Sequence, residues 1–357
     1  MRILIATRSF PPDQRGAAST LLFQLWDRLR ERHDVKLVAG WGSDPSLLPA
    51  DAVAVRRPPG PSLRVRGALD LAVRRAALRF RPDVVLAWGI EVPSDVAPTV
   101  GLLGDPFAGE AAWGRWAPLR RRFWKQRVAG MARAIVPTEG ARSRLSDFGV
   151  DSSGVTVCWP GVDTSRLCPD PNVPALPRDG PLHVVYAARM IPGKAQHVAI
   201  EAIKGLHEGL RERITLDLVG PAPDAAYLAM LHRRAGGASV AFHHDVPDVA
   251  PWLRRAHLAV FPSTLEEPFG FSALEAMACG KPVVHSRTAA LRELTGDRGI
   301  AVAAGDVKEL GMAVRSVLRD PARADALGRA GRELVLERYA WSHAIRRYES
   351  LLEEAVR

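Results

Sequence analysis

Residues 261–285 read FPSTLEEPFGFSALEAMACGKPVVH. An apolar strand ends at Phe261, a loop carries Glu266, Glu267 and Pro268, and a helix begins near Gly270 and bears Glu275. Glycine and proline at that entry let backbone come close to a ligand. The start of the helix offers unpaired N–H groups and the positive end of its dipole, a natural seat for a diphosphate. Glu267 and Glu275 are eight residues apart, a rise of ~12 Å if helical. That is too far for a paired acid–base dyad. It suits two carboxylates that bond hydroxyls at the two ends of a long ligand, with its phosphates between them.

Outward from this stretch, short β-branched runs alternate with longer helical patterns. In the first half, strands read at residues 3–6, 35–38, 84–87, 134–136 and 155–158, with helical stretches such as 19–32 and 68–79 between them. The alternation restarts with strands at 183–187, 215–219, 258–261 and 282–285. Helices read at 196–208, 224–234, 270–278, 307–319 and 322–338, and a last one at 342–356. Such alternation implies right-handed crossovers and mostly parallel sheets. The chain has 357 residues, long for one domain of ~150. Proline and glycine crowd residues 169–181 and the periodicity vanishes, which marks an interdomain linker. The expected fold is α/β, with two Rossmann-like doubly wound parallel-sheet domains over 1–168 and 182–340 and a closing helix over 341–357. A cleft between the carboxyl ends of the two sheets is where such folds bind ligands.

Composition narrows the function. Hydrophobic residues are 47% and charged residues 25%, as in a soluble globular chain. Cys158, Cys168 and Cys279 form no C-x-x-C, which argues against a disulfide framework or zinc site and for a reducing, cytoplasmic compartment. The apolar run in MRILIATRSF is too short for a signal peptide, and no stretch approaches the ~18 apolar residues of a membrane span. Net charge is +10, mostly from arginine. Nucleic acid, anionic lipid, a phosphate-rich ligand and GC-rich codon usage all account for it. No zinc-finger spacing, RNP-like strand or basic zipper is present, so nucleic acid is not the expected partner. Residues 115–133, RWAPLRRRFWKQRVAGMAR, read either as a membrane-surface helix at the inner face of an anionic membrane or as a solvated crossover helix whose aromatics face the sheet. Trp113 and Trp116 fit a sugar-stacking acceptor site or ordinary core. His243, His244 and Asp245 alternate in direction on a strand, so they read as a turn, not a metal site. Neither G-x-G-x-x-G nor a P-loop occurs where a dinucleotide or triphosphate fold needs it.

The 261–285 stretch resembles the E-x7-E signature, E-x-F-G-x-x-x-x-E-A-M-A-x-G-x-P-V-V, of the GT4-type retaining glycosyltransferases (GT-B fold, group 1). Further stretches are similar to that family: MRILIATRSFPPDQRGAAS at the start, AIVPTEGARSRLSDFGV with VTVCWPGVDTSRLCP, VYAARMIPGKAQHVAIEAI, and LRDPARADALGRAGRELVLERYAWSHAIRRYESLL. The resemblance implies transfer of a sugar from a nucleotide-diphosphate sugar to an acceptor hydroxyl of a lipid, polysaccharide or small metabolite. It implies no cofactor and no metal. Residues 1–168 would serve the acceptor, residues 182–340 the nucleotide sugar, and the last helix would cross back to the first domain. Glu267 would hold donor-sugar hydroxyls and Glu275 the ribose. Gly270, Phe271 and Ser272, next to Phe269, would present N–H groups to sugar and phosphate. Arg189 and Lys194 would clamp the diphosphate, and the backbone of Val246 would touch the base.

The sequence also departs from the family. The first loop reads Asp-Gln-Arg-Gly, leaving only Gly16 to admit a phosphate, beside Arg15. Asp105 stands where the family often has histidine, as a contact for donor sugar or acceptor hydroxyl. The later G-G-x-P-E turn reads Ala289 to Glu293, with only Glu293 matching. A hydrolase, epimerase or sugar-phosphate phosphorylase on this scaffold, or a non-catalytic binder of sugar nucleotides or polyanions, are the other readings.

Overall fold

Near-continuous apolar runs become strands buried on both faces, the mark of parallel sheets covered by helices. The computed structural model describes all residues except 9, 11–16, 41–47, 56–61, 91, 94, 108–113, 115, 174–175, 178 and 245. It divides into a first unit, Met1–Gly161 with Ser342–Arg357, and a second, Val162–Trp341.

The first unit runs β1 (Arg2–Thr7), α1 (Ala17–Leu29), β2 (Asp34–Ala39), β3 (Val53–Ala54), α2 (Ser62–Phe80), β4 (Val84–Trp88) and β5 (Thr99–Leu102). It continues with α3 (Ala117–Ala129), β6 (Arg133–Val136), α4 (Glu139–Asp147) and β7 (Val155–Val157). Its seven strands are parallel in the order β3-β2-β1-β4-β5-β6-β7. The arginine-rich segment forms α3. Only Arg120, Trp124 and Val128 of it are buried, at successive i+4 positions, so it is a crossover helix with one narrow inward stripe. Arg120 donates to the carbonyl of Pro106 at 2.5 Å and lies over the Phe148 ring. An arginine on the inward stripe hides the helical period from a hydrophobicity reading.

The second unit runs β8 (Leu182–Ala187), a 3₁₀ turn (Pro192–Lys194), α5 (Gln196–Lys204), α6 (Glu208–Arg211), β9 (Ile214–Val219), α7 (Ala225–Ala235) and β10 (Val240–His243). Then come α8 (Ala250–Arg255), β11 (Leu258–Phe261), α9 (Phe271–Ala278), β12 (Val283–Ser286), α10 (Ala289–Thr295) and β13 (Ile300–Val302). The helices α11 (Val307–Leu318) and α12 (Pro321–Leu334), a π turn (Val335–Tyr339) and α13 (Trp341–Val356) follow. Six parallel strands take the order β10-β9-β8-β11-β12-β13. Chain direction across the sheet reverses at β8, which lies between β9 and β11. The carboxyl ends of β8 and β11 therefore flank the crevice where open α/β sheets bind ligands.

Three expectations shift. Residues 169–181, read as an interdomain linker, lie inside the second unit, where Arg213 donates to the carbonyls of Pro177 and Gly180. Their composition marks irregular backbone, not a boundary. Residues 162–168, read with the first domain, also belong to the second unit. Val162 bridges Ala340 in parallel, its N–H donating to Tyr339 at 2.7 Å. His243, read in a turn, closes strand β10, and its Nε2 bonds Asp217 at 2.8 Å. Asp217 interrupts the apolar run of β9 and is fully buried. His183 at 3.1 Å and Arg255 at 2.5 Å complete its shell. A buried carboxylate needs such a set of partners. The last helix belongs from Ser342 onward to the first unit. There Tyr348, Leu351 and Leu352 are buried, and Glu349 pairs with Arg32 and His33.

Within the second unit, Arg332 of α12 gathers three carbonyls: Leu167 at 2.8 Å, Ala278 at 2.5 Å and Thr164 at 3.1 Å. One cation thus holds the entering chain against the end of α9. Arg332→Met strips the donors and leaves three acceptors to re-pair. The expected loss is about 3 kcal/mol, read as a lower urea midpoint; an unchanged midpoint refutes the assignment.

Candidate active site

The site grows from two loops, one after β8 and one after β11. After β8 the chain makes the Pro192–Lys194 turn and enters α5 through Ala195, whose φ of 55° is left-handed. For a residue with a Cβ this costs about 1 kcal/mol. The cost is held by buried partners. Tyr186 donates to the Lys194 carbonyl at 2.5 Å, and the fully buried Gln196 donates to the Arg189 carbonyl at 2.8 Å. Tyr227 donates in turn to Gln196 Oε1 at 3.2 Å. Burial, with Glu267 nearby, pushes the Tyr186 hydroxyl well above its ordinary pKa, so it remains a donor.

The second loop is tied to the first through one atom. The Gly193 carbonyl accepts from the N–H groups of Thr264 (2.9 Å) and Leu265 (3.2 Å) and from the hydroxyls of Ser263 and Thr264 (both 3.2 Å). A Cβ on Gly193 would stand 2.4 Å from Leu265 Cγ, so a larger residue here would have to displace the Leu265 side chain. The two neighbouring glutamates then take different work. Glu266 accepts from the Ala289 N–H at 3.1 Å and caps α10. Glu267 turns to Lys194, Nζ to Oε2 at 2.5 Å, with both side chains mostly buried.

This ion pair lines a solvent-open pocket with Tyr186, Ala188, Phe261, Gly270, Ser272, Ala273 and Leu291. The start of α9 faces it. Gly270 is the N-cap, and no side chain caps the helix. Among the described residues the amides of Phe271 and Ser272 have no acceptor. A Cβ on Gly270 would meet Leu291 at 2.4 Å. Phe269 and Phe271 meet edge to face at 4.6 Å beside it.

Of the residues singled out in the sequence, Lys194, Glu267, Gly270 and Ser272 meet at this pocket. Arg189 is exposed just beyond β8, and its guanidinium has no partner among the described residues. Val246 lies in the loop after β10. The Glu275 carboxylate, on α9, makes no ion pair or hydrogen bond among the described residues. Its electrostatic neighbours are Arg166, which favours the carboxylate, and Asp248, which opposes it. Arg166 and Asp248 are themselves ion-paired. Burial pushes the Glu275 carboxyl up to about 7. Asp105 belongs to the first unit, where Arg144 grips both its oxygens at 2.9 and 3.0 Å and the Phe107 N–H bonds it at 3.1 Å. Asp105 therefore already has hydrogen-bond partners within the first unit. Gly16 and Arg15 lie outside the described residues, as do Trp113 and Asp245. Tyr186, Gln196, Gly193 and Arg166 were missed in the sequence. Only the small residue in Ile-Pro-Gly-Lys hinted at a close approach.

Comparison with known proteins decides what this architecture is. A family model described as "Glycosyltransferase Family 4" matches residues 18–166, and one described as "Glycosyl transferases group 1" matches residues 181–320. A glycogen synthase of Mycobacterium tuberculosis is 30% identical over 96% of this chain and 92% of its own length. The chain belongs to the family 4, group 1 glycosyltransferases. A GDP-mannose-dependent alpha-(1-6)-phosphatidylinositol monomannoside mannosyltransferase of Mycolicibacterium smegmatis is 29% identical over 95% of both chains. In fold, this glycosyltransferase matches Anabaena Alr3699/HepE, solved with UDP and glucose, at a TM-score of 0.80 with 20% identity over 99% of both chains. Sucrose-phosphate synthase of Thermosynechococcus elongatus matches at 0.82 with 19% identity, covering 99% of this chain and 98% of that one. The fold of this chain is GT-B, two α/β units each built on a parallel sheet. No helix among the described residues is long and apolar enough to cross a membrane.

The raised Glu275 carboxyl has a consequence for stability. Its folded value, about 7, lies above the ordinary 4.5. As pH rises the unfolded chain gives up this proton first. The resulting penalty on the fold is absent below about pH 4 and fully present above about pH 7. Glu275→Gln should therefore be more stable than the parent at pH 8, on the order of 2 kcal/mol, and equal to it near pH 4. Thermal melts at the two pH values test this; a variant less stable at pH 8 overturns it.

Proposed function

We propose that this glycosyltransferase takes its sugar from a nucleotide-diphosphate donor, transfers it with retention, and uses no metal. The observation that carries the reading is the Lys194–Glu267 pair set against the uncapped start of α9 at the carboxyl ends of β8 and β11. A cation, two unbonded amides and a helix dipole converge there, as a diphosphate requires. A donor would exchange the pair. Its diphosphate takes Lys194, Arg189 and the amides of Phe271 and Ser272, and the released Glu267 accepts from sugar hydroxyls. Glu275, whose carboxylate has no hydrogen-bond donor among the described residues, accepts from the ribose. The solved relative with UDP and glucose supports this choice of ligand class.

The chemistry follows from charge. As the bond from the anomeric carbon to the diphosphate oxygen breaks, the electron pair leaves with the diphosphate. Fixed cations and amides stabilise that growing charge more than the ground state. The acceptor hydroxyl attacks from the face the diphosphate leaves and hands its proton to the departing oxygen. The retaining course rests on the family resemblance, and the anomeric configuration of the product, read by NMR, checks it.

Two measurements test the site. Glu275→Ala should weaken binding of a free nucleoside diphosphate by about tenfold or more, the loss of a charged hydrogen bond of ~1.5–3 kcal/mol. Glu267→Ala should leave that binding near the parent's while transfer falls, because sugar positioning precedes chemistry. Equal loss in calorimetry for both variants defeats the division of labour. Transfer should also persist in excess chelator, since Lys194 and Arg189 supply the positive charge. Abolition by EDTA with rescue by magnesium or manganese refutes metal independence.

A further inference from the structure

Helices α2 and α3 share one face of the first unit's sheet. The β3-to-β4 and β5-to-β6 crossovers run in the same direction across it, and right-handedness then puts both helices on the same side. They also grip one connection. Arg74 of α2 bonds Asp95 at 2.9 and 3.0 Å, and Arg127 of α3 donates to the Val92 carbonyl at 3.3 Å. Their inward stripes are core, Leu69 and Val73 on α2 and Trp124 and Val128 on α3.

The outward stripes are unusual. On α2, Leu71, Arg75, Leu78 and Arg79 recur at i, i+4, i+7 and i+8 and are all exposed, Leu78 at 78%. At the start of α3, Trp116 and Leu119 are 53% and 54% exposed, with Arg122 and Lys125 exposed on the turns that follow. The sequence of α3, APLRRRFWKQRVA, contains five basic residues and no acidic one. Arg74, Arg142 and Arg144 of the same unit are ion-paired. Arg75, Arg79, Arg122 and Lys125 have no carboxylate partner among the described residues.

Cations left without carboxylates and interleaved with exposed leucine and tryptophan need a partner that is anionic and apolar in layers. Nucleic acid answers the charge and leaves the leucines in water. An anionic lipid surface answers both, since apolar tips enter the acyl boundary while guanidinium groups meet lipid phosphates. We propose that the α2–α3 face of this glycosyltransferase docks on an anionic membrane surface. The proposal does not depend on how the donor is bound.

The test is co-sedimentation of the full chain with phosphatidylcholine vesicles, with and without phosphatidylglycerol. Binding should need the anionic lipid and fall as salt is raised. Replacing Arg75, Arg79, Arg122 and Lys125 by Gln should weaken it by at least tenfold, given about fivefold per cation near a charged surface. Leu71→Ser with Leu78→Ser and Leu119→Ser should also weaken it, while the remaining binding stays salt-sensitive. Unchanged melting temperatures show that the variants fold. Equal binding to neutral vesicles, no binding to either, or a charge variant that binds like the parent overturns the proposal. So does tight binding of a DNA duplex, lost in the charge variant, with vesicles ignored.

Discussion

One carbonyl oxygen, that of Gly193, fixes the distance between the two loops that carry the site. Four donors from residues 263–265 converge on it, and with no side chain at residue 193 the Leu265 side chain packs directly over it. Lys194 and Glu267 are each within three residues of that knot. Their separation is therefore set by backbone and not left to two flexible side chains. Backbone fixed in this way holds both charged groups in place whichever partner each of them takes.

The loops can meet because of sheet topology. Chain direction reverses at β8, so the connections after β8 and β11 part to opposite sides and leave a crevice at their carboxyl ends. The strain of Ala195 and the buried polar chain from Tyr227 through Gln196 to the Arg189 carbonyl hold one wall. The uncapped start of α9 makes the other. In the same sheet, Asp217 ties β8, β9, β10 and α8 together through His183, His243 and Arg255. The loop bearing Val246 leaves directly from that anchored end of β10.

Much of this was legible in the sequence, for identifiable reasons. Strands such as β1, β8 and β11 are buried on both faces and read as unbroken apolar runs. The helix with Glu275 announced itself through glycine, proline and the spacing of its carboxylates. The reading weakened where polar residues face inward: residues 115–133 kept two helical readings, and β10 was missed. Arg120 breaks the stripe of α3, and β10 ends on a histidine whose partner lies 26 residues away. The proline-rich 169–181 stretch misled because turn composition reports local backbone, whereas a domain boundary is defined by where long-range contacts stop. The Gly193 knot and the Arg166–Asp248 pair are invisible from either segment alone, since each joins residues about 70 to 80 apart in the chain.

The pairing of Val162 with Ala340 makes the second unit a single uninterrupted stretch whose two ends lie side by side. The first unit is the opposite. It is split, and its sheet lacks the α13 segment with Tyr348, Leu351 and Leu352 until the very end of the chain is present. During synthesis, which proceeds from the amino terminus, the usual order of N-terminal domain first is reversed for completion. The second unit has all its residues once position 341 has emerged, while the first must wait, with the surface that receives α13 still uncovered, for the last sixteen residues.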